Sequence, residues 1–80
     1  MQWPYKLYTL LLLGHVPGAE RRGTRVFMHM PTTARFLGIP SKRLRAYLEC
    51  GIDLAIFSNL KKRHAIWSFD VTMPEGFIND

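Results

Sequence analysis

Eighty residues, 48% of them hydrophobic and 12% aromatic, suffice for one small core and exclude both a disordered chain and more than one domain in this stretch. The formal net charge of +5 is unevenly spread: ten of the eleven Lys and Arg lie between positions 21 and 64 against only Glu49 and Asp53, while Asp70, Glu75 and Asp80 fall near the end. A basic middle of this kind points to a polyanionic partner met by one face, and the single cysteine, Cys50, excludes an internal disulfide and fits a reducing cytoplasm.

The first expected element is a helix from Pro4 to Leu13, with Gln2 or Trp3 as its cap and Gly14 as its end. Trp3, Leu7, Leu10 and Leu11 form one apolar stripe, and Tyr5, Tyr8 and Leu12 form a second. The run Leu7–Leu13 has the look of a signal-peptide core, but Pro4 and two tyrosines sit poorly there, and it is too short to span a bilayer. It reads as a core helix, and no membrane association is expected. The surplus stripe of Tyr5, Tyr8 and Leu12 is a candidate dimer or docking face, met by a second copy or by the tail residues Phe77 and Ile78.

Residues 15–23 read as a loop, marked by Pro17-Gly18 and Gly23. Residues 25–30 read as a short strand that Pro31 closes, with Val26, Met28 and Met30 on one side and Phe27 and His29 on the other. A helix capped by Thr32 or Thr33 follows, then a sharp turn at Gly38 with Ile39 dipping into the core. Pro40-Ser41 opens a second helix, ending near Gly51, whose Leu44, Tyr47 and Leu48 form an apolar face opposite Lys42, Arg43 and Arg45. Cys50, at its end, is expected to be a small buried residue. Residues 54–60 suggest a strand without clean alternation. Lys61-Lys62-Arg63-His64 makes a basic tip, and 65–72 alternates, with Ala65, Trp67, Phe69 and Val71 inward. Pro74 and Gly76 end regular structure, leaving 74–80 as a tail after a domain spanning 1–73.

The order helix, strand, helix, turn, helix, strand, basic tip, strand resembles a winged helix-turn-helix domain over about residues 4–72. The resemblance implies an α+β fold of three helices with a small three-stranded antiparallel sheet. It also implies that the helix Ser41–Cys50 enters the DNA major groove while the wing at Lys61–His64 touches phosphates or the minor groove. The segment Lys42-Arg43-Leu44-Arg45-Ala46-Tyr47-Leu48-Glu49 is similar to the second helix of MerR-type regulators and of phage excisionases, in which Leu-Arg-x-Tyr recurs. No stretch reads as the long C-terminal helix of MerR-type proteins, and the wing lacks their aromatic-arginine pattern.

The expected partner is therefore double-stranded DNA, bound by a small regulator of phage or plasmid type. Lys42 and Arg43 are the best placed to read bases, with Arg45 beside them. Ser41 and the free amides of the helix ends favour a phosphate. Arg35, Lys61, Lys62, Arg63 and His64 hold the backbone, and Thr32 and Thr33 add phosphate contacts at the start of the first of the two helices. Two other readings are a protein-binding adaptor or inhibitor of the same shape and an excisionase-like architectural factor. Enzyme chemistry is not expected. His15, His29 and His64 are scattered, no metal-ligand spacing occurs, no glycine-rich phosphate loop is present, and nothing calls for a cofactor or small-molecule ligand.

Overall fold

The computed structural model describes residues 2–71. The tail 74–80, Phe77 and Ile78 among it, lies outside the described residues. Three helices and four strands follow in the order α1 (Trp3–Leu13), β1 (Ala19–Arg22), β2 (Arg25–His29), α2 (Met30–Leu37), α3 (Ser41–Asp53), β3 (Phe57–Arg63) and β4 (Ile66–Val71). The fold is α+β. Its sheet is antiparallel, ordered β1-β2-β4-β3, and has four strands where the sequence suggested three.

The additional strand is β1, in the stretch expected to be a loop. Its sequence, Ala-Glu-Arg-Arg, has no apolar stripe, because it is an edge strand with three exposed charged side chains. Pairing with β2, joined through the two-residue turn Gly23-Thr24, makes it a strand; its own composition does not.

The helices cover one face of the sheet. Leu7 and Leu11 of α1, Leu44 and Leu48 of α3, and Met30 and Ala34 of α2 meet Val26, Met28, Phe57, Trp67, Phe69 and Val71 in a single core. Tyr8 is in that core too, its ring 6.1 Å from Phe57, which lies 4.8 Å from Phe69. The proposed docking stripe thus loses its middle member: Tyr8 is 4% exposed, Leu12 is half-buried and only Tyr5 stands out. Desolvation raises the Tyr8 phenol pKa, with Arg21 opposing the shift.

β3 escapes simple alternation because it carries a bulge. Ser58 pairs with Asp70 and Lys61 with Ser68, so β3 holds one more residue than β4 over that span. Asn59 takes a left-handed conformation there (φ 52°) and donates from Nδ2 to Asp70 Oδ2 at 2.6 Å. The extra residue lets Phe57 and Lys62 share the helix side while Ser58, Lys61 and Arg63 share the open side.

α2 begins at Met30, two residues before the expected threonine cap, with Pro31 in its first turn. The cap is His29: Thr32 N–H donates to His29 Nδ1, which also lies 2.7 Å from Thr32 Oγ1. Thr33, the other cap candidate, is fully buried. α3 continues to Asp53, through the glycine expected to end it. Gly51 completes the buried stripe of Leu44 and Leu48 and lies against the Phe57 ring. Cys50 is exposed, not buried, since it falls on the outer side of the same helix.

Candidate nucleic-acid interface

The turn between α2 and α3 is set by Gly38. Its φ of 72° and ψ of 30° place it in the left-handed region. From there Gly38 N–H donates to Arg35 O at 3.2 Å, and Ile39 N–H donates to Ala34 O at 3.1 Å. These two bonds are a Schellman closure, which occupies the last carbonyls of α2 and swings the chain into α3. Ile39 is half-buried against the core, as its position in the turn suggested.

α3 is anchored from behind. Leu44 and Leu48 are fully buried, and Tyr47 stacks on Trp3 of α1 with ring centres 5.2 Å apart and planes 6° from parallel. Fixing these positions turns Lys42, Arg43, Arg45 and Ala46 outward. The outer surface is polarised along the axis, with Lys42, Arg43 and Arg45 in the first half and Glu49 and Asp53 in the second.

The start of α3 is electrostatically unfavourable. Pro40 occupies the N-cap without a side-chain hydrogen bond, and the first turn contains no acid. Lys42 and Arg43 sit there instead, at the positive end of the helix dipole, where each cation costs about 0.3–1 kcal/mol. Neither has an ion-pair or hydrogen-bond partner among the described residues. Free amides, the half-buried Ser41 and two unpaired cations therefore concentrate positive potential at one point.

The basic run at 61–63 is divided by strand alternation. Lys62 pairs across from Trp67 and turns toward α3. Its Nζ lies 3.2 Å from Glu49 Oε1 and 4.8 Å from the centre of the Trp67 ring. Arg45 reaches the same ring, with its guanidinium carbon 5.9 Å from the centre. Lys62, Arg45 and Trp67 thus join one edge of α3 to the hairpin, and Glu49 is held by Lys62, not by Arg45 one turn back.

Lys61 and Arg63 face the other way, on the side of Ser68 and Ile66. His64 is exposed in the two-residue turn that joins β3 to β4, with φ 51°. Of the remaining candidates, Arg35 is exposed on α2, Thr32 is exposed but held by His29, and buried Thr33 is out of reach of any phosphate. The structure therefore brings Ser41, Lys42, Arg43, Arg45 and Lys62 to α3 and its flank. It separates Lys61 and Arg63 from them.

Sequence reasoning did not single out the open face of the sheet. Arg25 on β2 donates to Asp70 Oδ1 at 3.1 Å and to Ser68 Oγ at 2.9 Å. Asp70 also accepts from Asn59, and the bonds from Asn59 and Arg25 hold its carboxyl below the usual carboxylate value. Phe27 and Ile66 stand on this face, with Ile66 48% exposed. A period-two reading of 25–29 put Phe27 and His29 together but gave no reason for interest until β3 added Lys61 and Arg63.

Among the described residues no helix is long and apolar enough to cross a membrane, and no group of three or more His, Cys, Asp or Glu is arranged to hold a metal ion. No protein-family profile, curated protein or solved structure matches the chain.

Proposed function

We propose that this protein is a winged helix-turn-helix domain that binds duplex DNA by inserting the first half of α3 into the major groove. The observation that carries the reading is the pair Lys42 and Arg43. Two cations occupy the start of a helix, where they destabilise it, and no carboxylate among the described residues relieves them. A fold selected for stability alone would place an acid there, and violations of local preference concentrate at functional sites. A major groove supplies what the position lacks: phosphates for the amides and Ser41, and the O6 and N7 acceptors of guanine for an arginine fork.

In this reading Arg43 and Lys42 contact base edges, with Arg43 contributing about 1–3 kcal/mol of discrimination. Arg35, Arg45 and Lys62 hold phosphates and fix the register of α3 in the groove. Trp67 acts behind Arg45 and Lys62, as a ring that keeps both cations beside the helix. The acidic second half of α3 stays out of the groove, so the helix enters end-on and not flat. Similarity of 42–49 to the second helix of MerR-type regulators and excisionases supports a role on duplex DNA, in transcription or recombination. The adaptor reading loses support with the burial of Tyr8, which removes the centre of its docking ridge.

Fluorescence anisotropy with a pool of random duplexes tests the proposal, followed by footprinting on the sequences retained. Arg43→Ala is expected to weaken binding and relax preference at one base pair. Lys62→Ala should weaken all sequences alike. Equal, sequence-independent losses from both would contradict the division between base reading and phosphate holding.

A further inference from the structure

The open face of the sheet lies on the side of the molecule away from the helices and has a composition unlike an ordinary solvated surface. Its centre is an open groove of about 750 Å³. Phe27 and Ile66 line it on neighbouring strands, offset by two residues in the register, so ring and side chain are diagonal neighbours. Arg25, Lys61, Arg63 and His64 surround them. Two acids also face this side, Asp70 and Glu20, and each is already neutralised: Asp70 by Arg25, and Glu20 by Arg22 at 3.2 Å. Lys61 and Arg63 have no hydrogen-bond or salt-bridge partner among the described residues, although Lys61 helps to lower the Asp70 pKa. The face therefore retains positive charge beside Phe27, a half-buried ring with the Arg22 guanidinium carbon 5.3 Å from its centre, which an incoming base must displace or stack upon.

The bulge at Asn59 is what creates this arrangement. Without the extra residue, the parity of β3 would turn Lys61 and Arg63 toward the helices and Lys62 outward. Instead two cations two positions apart, about 7 Å along the strand, run beside the Phe27–Ile66 floor. Arg25, on the other side of β4, is held between Asp70 and Ser68, and its charge is offset by that carboxylate.

We infer that this face binds single-stranded nucleic acid, with an unpaired base stacked on Phe27 against Ile66 and the phosphates of successive nucleotides on Lys61 and Arg63. Charge complementarity selects a polyanion. The apolar floor selects one whose bases are unpaired, since a duplex hides its π faces and leaves Phe27 and Ile66 without a partner. The pairing of aromatic stacking with a flanking cationic track is the general solution for strands bound with little sequence preference. This site is separate from the α3 surface, so either can fail without the other.

The test uses the full chain and a fluorescein-labelled oligothymidylate of about ten nucleotides. Wild type should bind it, with log affinity falling against log salt at a slope of about −1.4 for two neutralised phosphates. Phe27→Leu, which keeps an apolar side chain but removes the π face, should weaken binding about ten-fold. The exposed pair Lys61→Ala with Arg63→Ala should weaken it and make the salt slope shallower by about 1.4. Arg43→Ala should leave oligonucleotide binding unchanged while it weakens duplex binding. Melting curves of each variant establish that it is folded. Absence of binding at tens of micromolar protein, an unaffected folded Phe27→Leu, or equal loss in Arg43→Ala would each overturn the inference. So would sedimentation showing that wild type is a dimer which Phe27→Leu dissociates, because the face would then be covered by a second copy.

Discussion

Gly51→Ala separates two effects of opposite sign. In an exposed helix interior the change stabilises by about 1 kcal/mol, because alanine restricts the unfolded chain and favours the helix. Gly51 is buried in α3, and a Cβ built there falls 2.5 Å from Phe57 Cε2 and closer still to Cδ2. Phe57 cannot retreat. It is 2% exposed and lies between Tyr8 at 6.1 Å and Phe69 at 4.8 Å. Moving the ring or the helix overpacks the core at a cost of about 1–3 kcal/mol or more, which exceeds or at least cancels the propensity gain. The expected net result is destabilisation by about 0–2 kcal/mol, seen in urea as a midpoint lowered by up to about 1 M at unchanged m. In the Phe57→Leu background the same change should cost less, because the ring atoms in conflict are gone, and a double-mutant cycle reads the difference. A stabilised Gly51→Ala protein would refute the packing argument and show that α3 and β3 are not in close contact.

Lys42→Glu should act in two opposite directions, raising stability through the helix dipole by about 0.6–2 kcal/mol, seen as a higher melting temperature, while abolishing duplex binding; a destabilised variant would mean that Lys42 has a structural role. His29→Ala removes the only side-chain cap of α2 and should cost about 1 kcal/mol in urea unfolding, whereas a cost near zero would show that Pro31 alone sets the helix start. Asp70 has a lowered pKa in the folded protein, so its contribution is complete above the ordinary value of 3.8 and is lost as pH falls through the folded value. Melting temperatures between about pH 2 and 6 should therefore fall more steeply for wild type than for Asp70→Asn; parallel curves would show that the contacts to Asn59 and Arg25 do not form in solution.

Where local pattern and tertiary structure agree, the sequence was readable. β4 buries Trp67, Phe69 and Val71 as its alternation indicates, and Gly38 makes the turn its spacing required. What remained hidden depended on partners distant in the chain. β1 is a strand only because β2 lies beside it, and its charged residues carry no inward signal. The bulge at Asn59 shifts the phase of β3, so no period-two reading of 57–63 could assign Lys61 and Lys62 to opposite faces. A glycine near the end of a helical stretch resembles a stop signal, whereas Gly51 lies inside α3, where a small residue is needed beneath Phe57. The candidate interface divides along the same line. The cations of α3 follow from helical periodicity, but the separation of Lys62 from Lys61 and Arg63 required the sheet.

The salt dependence of duplex binding tests the central claim most directly. With Arg35, Arg45 and Lys62 on phosphates, Lys42 and Arg43 on bases, and Lys61 and Arg63 on the opposite face, log affinity should fall against log salt with a slope near −3. A flat response, or one unchanged when Arg45 and Lys62 are replaced together, would contradict groove binding by α3.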